Sequence, residues 1–255
     1  MPSDLRTTTT PTGRAGVAPH DFDDLRAQLV AATRGPRDSD ALAQAGRLLT
    51  TAFADRAGGA ALLSSWADRL RDGRTTVRGR SQVHHNGFAK ISLARLDGGW
   101  NLRLHVWPAG QGDARVHDHR WSFASIAVDG ALDVVNYSRD TGPDDEVRPC
   151  YRLYDATGDG EKRLERAPDE AVRPTSSYRI GAGAFHVLDF RDPHVVRNTT
   201  ATDAVTLMLS GPARREFSHS YGARDRDDVL PAPALVDDER AIDHVRLVAA
   251  RLRSA

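Results

Sequence analysis

Apolar residues change their spacing twice along this chain, from a helical rhythm to an alternating one and back. Between Asp21 and Leu70 they recur every three to four residues. Leu25, Leu29 and Val30 share one face of a first predicted helix, which Arg34-Gly35-Pro36 terminates. A second is expected from Ser39 to about Ala54, with Leu42, Leu48, Leu49 and Phe53 inward. A third covers Ala60 to Leu70, with Leu62, Leu63, Trp66 and Leu70 inward, and stops at Asp72-Gly73. Beyond residue 80 the period becomes two. Candidate strands are 88–95, 100–107, 115–128, 131–138, 149–155, 176–181, 184–189, 194–198 and 203–210. Asp129-Gly130 predicts a tight hairpin, because that turn needs positive φ. Residues 156–174 are charged and read as an exposed excursion. From Asp237 the pattern is a capped amphipathic helix with Ile242, Val245, Val248 and Leu252 on one side. Short strands in succession, with no helix between them, imply a sandwich or barrel.

The expected organisation is a disordered tail over 1–19, a helical segment over 20–79, a barrel over 80–225, and a linker with a helix over 226–255. The tail carries a threonine run and few large apolar residues. Charge alters this picture by exclusion. Lys plus Arg number 35 and Asp plus Glu number 35, so no net field draws the chain to nucleic acid or anionic lipid. The single cysteine, Cys150, excludes an internal disulfide framework and a cysteine-based zinc site. No apolar stretch approaches membrane-spanning length and the N-terminus lacks a secretory pattern, so a cytoplasmic protein with no membrane partner is expected. Heavy use of Ala, Arg, Asp and Gly suggests a GC-rich bacterial genome. Nothing in the sequence sets the oligomeric state.

Candidate chemistry concentrates in two short motifs, His117-Asp118-His119 and His194-Val195-Val196-Arg197-Asn198. In a strand, His117 and His119 project the same way. An imidazole from a neighbouring strand, His194, would close a three-point grip on one metal ion and leave coordination positions open for chemistry. Imidazole ligands suit Fe, Zn, Cu or Ni, so the ligand set alone does not choose the metal. Two strand imidazoles facing a polar cavity remain the plainer alternative.

From Phe88 to Tyr221 the chain resembles the cupin superfamily and, within it, the cysteine dioxygenase (thiol dioxygenase) family. Asn101-Leu-Arg-Leu-His-Val-Trp107, a Gly-rich turn to Gly112, and Val116-His117-Asp118-His119 look like that family's first metal motif. Pro193 to Asn198 looks like the second. Thr206 to Ser210 with its Gly-Pro turn is similar to the strand that follows, and Phe217-Ser218-His219-Ser220-Tyr221 carries the His-x-Tyr of the family's Ser-His-Tyr relay. The resemblance implies a mainly β fold, a cupin double-stranded β-helix (jelly-roll barrel) with N-terminal helices and a C-terminal helix. It also implies Fe(II), O2 as a partner, and His219 with Tyr221 as catalytic residues. The departures are specific. The family's carboxylate-binding arginine corresponds to Lys90, its cross-linking cysteine to Ala124 and its relay serine to Phe217. The glutamate ligand of ordinary cupins would fall at Phe123 or Ala124.

The expected function is therefore a mononuclear non-haem dioxygenase of a small polar molecule bearing a thiol, amine or other chelating group. An O2-independent metal cupin (isomerase, lyase or coupling enzyme) and a non-catalytic ligand-binding cupin are the alternatives. Lys90 is the anion-binding candidate. Phe88, Arg103, His105 and Trp107 are further substrate-binding candidates, with His105 and Trp107 on strand positions that face the barrel interior. A structural hydrogen bond is the expectation for His186, a surface or supporting role for Asp118, and a buried inert thiol for Cys150. His84 and His85 receive no role.

Overall fold

The computed structural model describes residues 18–34, 38–142, 144–154, 162–222, 229–230 and 232–254. The tail expected over 1–19 lies almost wholly outside the described residues. Three helices come first: α1 (Phe22–Ala32), α2 (Asp38–Ala54) and α3 (Arg56–Arg71). Asp21 caps α1, its side chain accepting from the Asp24 amide, and Asp55 caps α3 by accepting from the Ala57 and Gly58 amides. A fourth helix, α4 (Asp238–Ser254), ends the chain and buries Ile242, Val245, Val248 and Leu252. These elements follow the expected ones to within a few residues at each start. Among the described residues no helix is long and apolar enough to cross a membrane.

The strands are β1 (Ser81–Val83), β2 (Ala89–Arg95), β3 (Asn101–Trp107), β4 (Val116–His117), β5 (Phe123–Asp129), β6 (Ala131–Ser138), β7 (Val147–Tyr154) and β8 (Lys162–Ala171). There follow β9 (Arg173–Gly181), β10 (Phe185–Leu188), β11 (His194–Arg197), β12 (Ala204–Ser210), β13 (Phe217–Tyr221), β14 (Val229–Leu230) and β15 (Leu235–Val236). They form two antiparallel sheets. The first runs β10-β5-β12-β3-β2-β1-β15 and the second β14-β8-β7-β13-β4-β11-β6-β9. From β3 to β6, and again from β9 to β13, successive strands alternate between the sheets. That alternation is the jelly-roll, double-stranded β-helix arrangement.

The outer face of the first sheet carries the main core. Ile91, Leu93, Leu102, Leu104, Ile126 and Leu207 pack there against all four helices. The Trp66 indole N–H of α3 donates to the Leu93 carbonyl at 2.8 Å, fixing helix against sheet. The opposite face of this sheet lines the barrel interior. β5 and β12 are consequently buried on both faces and read as continuous apolar runs.

Three expectations fail, the last at the turn after β5. The segment 115–128 is not one strand: β4 belongs to the second sheet and β5 to the first, and 118–122 crosses between them. The charged stretch within 156–174 is not a loop where it is described, since Lys162–Ala171 is β8. Its charges do not prevent pairing, because they meet opposite charges across the ladder, as in Arg152–Glu165 at 3.5 Å. Residues 156–161 of that excursion lie outside the described residues.

Two glycines bring the interior strands together. Gly130 adopts φ 71° in the turn between β5 and β6, but these strands belong to different sheets, so Asp129-Gly130 makes a corner from one sheet to the other and not the expected hairpin. Gly112 touches the chain of β11, where an added Cβ would stand 2.7 Å from the Arg197 Cα. That contact seats the approach to β4 directly beside β11.

Candidate metal centre

In the second sheet His117 of β4 lies in register with His194 of β11 on one side and Ser220 of β13 on the other. Direct antiparallel partners project to the same face, so both imidazoles enter the barrel, their ring centroids 4.7 Å apart. His119 arrives differently from the strand alternation expected of it. It lies two residues beyond the end of β4, on the crossing segment, with its ring centroid 5.0 Å from each of the other two. The three histidines offer donor nitrogens that all lie within 4.8 Å of one another. One ion with metal–nitrogen bonds of about 2.0–2.1 Å is within reach of all three after modest ring rotation.

The proton positions suit ligation. His117 Nδ1 faces the Arg115 carbonyl at 3.2 Å and His194 Nδ1 faces the Asp192 carbonyl at 3.3 Å. A carbonyl only accepts, so each Nδ1 carries a hydrogen, and Nε2 is the nitrogen each ring would offer a metal. Burial, reinforced by the neighbouring imidazoles, holds His119 and His194 well below the usual histidine range. Neutral rings are the form that binds metal. Asp113, which the sequence did not single out, supports this end. It is buried, its carboxylate 3.9 Å from His117 Nδ1, and it accepts from the Val196 amide at 2.8 Å and Asn86 Nδ2 at 2.6 Å.

The triad opens into a cavity of about 480 Å³ between the sheets, within the size range of small-molecule sites. Its opposite wall is the inner face of the first sheet, where Lys90 of β2 pairs with His105 of β3 and His105 with Thr206 of β12. Arg103 and Trp107 lie on the same face of β3, two residues to either side of His105. Phe88, Lys90, Arg103, His105 and Trp107 thus all line the cavity, as the alternation of β3 predicted for His105 and Trp107. Phe88 stacks on Trp107 at 4.0 Å and on His84 at 4.4 Å. His84, given no role from sequence, also lines the cavity; as a turn residue it carried no periodic signal. His186 joins the lining, its Nδ1 3.1 Å from the Tyr178 hydroxyl, and burial lowers its pKa to about 4.

The relay residues are placed otherwise. Because Ser220 shares the His117 face, its neighbours His219 and Tyr221 turn their side chains to the outer face of the sheet. The cavity borders β13, yet the His219 ring meets Asp118, with Nδ1 2.9 Å from a carboxylate oxygen. The Tyr221 hydroxyl contacts Arg139 Nε at 2.6 Å and donates to Glu170 at 3.0 Å, away from the triad. Asp118 is the hub of this outer cluster. It is 1% exposed, accepts from the His219 amide at 2.6 Å, and is paired with Arg139 and Arg215. Burial alone would raise its carboxyl, but hydrogen bonds from His219 and Arg215 outweigh it and hold the pKa below the usual range. Arg215 also donates to the carbonyls of His119 at 2.7 Å and Phe190 at 3.0 Å. It therefore fixes the backbone of the one ligand that no strand holds. Asn198 acts on the backbone as well, its Nδ2 donating to the carbonyls of Trp107 at 2.9 Å and Thr202 at 2.8 Å. Cys150 is fully buried on the outer side and its thiol is pushed up to about 12, chiefly by burial. An inert thiol is what that environment makes.

No family model matches the chain, and no curated protein matches it in sequence. Among solved structures it is similar to a cupin superfamily protein from Desulfitobacterium hafniense, with 8% identity and a TM-score of 0.30 over 51% of this chain and 81% of that one. An oxalate oxidase in complex with glycolate has 14% identity and a TM-score of 0.32, over 53% of this chain and 55% of that one. The cupin domain of Schizosaccharomyces pombe Cnp3 has 9% identity and a TM-score of 0.30, over 49% of this chain and 61% of that one. Such distant likeness carries nothing about chemistry. The fold rests on the strand order and the site on its own geometry.

Proposed function

We propose that this protein is a mononuclear non-haem metal enzyme. In this reading His117, His119 and His194 hold Fe(II), and O2 is the co-substrate for oxidation of a small polar molecule with a thiol, amine or other chelating group. The observation that carries the metal reading is the convergence of three imidazoles, two with Nδ1 turned to backbone carbonyls, on one cavity between the sheets. The order of the cysteine dioxygenase-like motifs adds the dioxygenase reading. When bound, the metal would supply Lewis acidity and a meeting point for substrate and O2. The chain's own groups do the rest. His117 and His194 are oriented through their backbone contacts. Arg215 holds the His119 segment. Lys90 binds an anionic group of the substrate, and the apolar wall of Phe123, Val134 and Val196 excludes water.

One observation favours a second reading, a metal cupin that works without O2. With Tyr221 turned to the outer face, the phenol of the family relay does not reach the cavity. Protein purified without oxygen, assayed for metal and then for O2 uptake with thiols and amines, separates the two. Uptake that disappears in His194→Ala together with the metal supports the dioxygenase. Turnover in the absence of O2 selects the second reading, and a wild type that takes up no metal overturns both.

A further inference from the structure

We propose that Asp113 is a positioning residue of the metal centre, whose carboxylate supplies through the His117 ring the negative charge that an acidic ligand would otherwise bring. The inference rests on the three-histidine metal reading and deepens it.

Imidazole binds metal in its neutral form, so three of them leave a divalent ion with its full double charge. Where ordinary cupins are expected to place a glutamate ligand, this chain has Phe123 or Ala124, both buried and apolar. Among the described residues that line the cavity, the carboxylates are Asp113 and Asp118. Asp118 is committed to Arg139, Arg215 and His219 on the outer face. Asp113 stands beside the triad instead, with Oδ2 3.9 Å from His117 Nδ1. That distance is too long for a hydrogen bond, so the carboxylate acts on the ring by charge. His117 Nδ1 is turned to the Arg115 carbonyl at 3.2 Å. An ion bound at Nε2 draws electron density from the ring and makes its Nδ1 edge more positive. A carboxylate fixed at that edge therefore favours the metal-bound state.

The carboxylate is fixed from two sides. The Asp113 amide donates to the Val196 carbonyl at 2.8 Å, and Oδ2 accepts from the Val196 amide at 2.8 Å. This double contact locks Asp113 to β11 two residues from His194. Oδ1 accepts from Asn86 Nδ2 at 2.6 Å, in the turn between β1 and β2 that also brings His84 and Phe88 to the cavity. Asp113 is 4% exposed, so water and salt screen its field little. Burial raises its pKa, and His117 with the two N–H donors opposes the rise. A dication on the same ring adds to that opposition.

Placing the charge here has a consequence for what the centre can bind. A carboxylate ligand occupies a coordination position, whereas the same charge at Asp113 occupies none. Three imidazoles alone leave a six-coordinate metal three open positions, enough for a substrate that chelates through two atoms and one further small ligand.

Competition of metal-free protein with a chromophoric chelator for Zn(II) tests the role of Asp113. Asp113→Asn keeps the size of the side chain and removes its charge, and the Zn(II) dissociation constant should rise about 10–100-fold. Asn86→Ala removes a partner of the carboxylate and leaves the charge, so its Zn(II) affinity should stay close to that of wild type. Both variants lose a hydrogen bond at Asp113. An equal loss of affinity in the two would therefore show a purely structural role and overturn the inference. Asp113→Ser gives the same reading should Asp113→Asn fold poorly. Wild-type Zn(II) affinity in the Asp113 variants overturns the inference alone. A wild type that binds no Zn(II) overturns the three-histidine reading and the inference with it, so the two failures are distinguishable.

Discussion

The ribbon made by β11, β4 and β13 has two faces that use the same residue types to opposite ends. Inside the barrel, His117 and His194 are oriented by backbone carbonyls, so that their rings converge with His119 on one point. Outside, one residue along in the register, Asp118 and His219 meet two arginines in a compensated ionic cluster. The inner face gathers imidazoles with one buried carboxylate, Asp113, beside them, and the outer face gathers ion pairs around Asp118. What separates the two is the two-residue period of the strand. Arg215 couples them, since it pairs with Asp118 outside and grips the His119 carbonyl.

The strongest way to break this comparison is to remove that coupling. Arg215→Met leaves a buried carboxylate with one arginine fewer, and breaking a buried pair destabilises by about 3–5 kcal/mol. Metal affinity should fall by roughly 10–100-fold as His119 loses its backbone support. Denaturant unfolding and metal competition titrations measure the two effects. Loss of stability with unchanged metal affinity would show that the outer face does not position His119.

Acid should act next, and on the inner wall. Burial lowers the His186 pKa from 6.5 to about 4, so the unfolded chain binds the extra proton between those values. Its contribution to stability is complete above about pH 6.5, shrinks as pH falls, and is gone below about pH 4. Unfolding midpoints measured on metal-free protein should drop across that window. In His186→Gln the same stretch of the curve should flatten, and an identical slope would remove His186 from the account.

Tyr221→Phe is the smallest and sharpest probe. It deletes the hydroxyl contacts to Arg139 and Glu170, worth about 1 kcal/mol, and leaves the cavity untouched. Stability should fall by that amount while turnover is unchanged. A large drop in turnover at unchanged stability would return Tyr221 to the reaction and contradict the register.

Much of this was legible in residue order. The shift from helical to alternating periodicity marked the boundary between α1–α3 and the barrel. The alternation of His105 and Trp107 predicted that β3 would face both inward. Arg152 and Glu165 illustrate what was not legible: a charged run reads as a loop until a partner strand offers opposite charges across the ladder.

His219 and Tyr221 show the deeper limit. Periodicity states that they share a face, and only the pairing of Ser220 with His117 decides which face that is. Strand and helix propensity, the barrel class and the identity of the three imidazoles follow from local chemistry, which any stretch of chain carries with it. Register, the crossing of 118–122 between sheets, and the gathering of Lys90, Arg103 and His105 opposite the triad depend on contacts between residues far apart in the chain. Those are settled by packing the whole barrel at once.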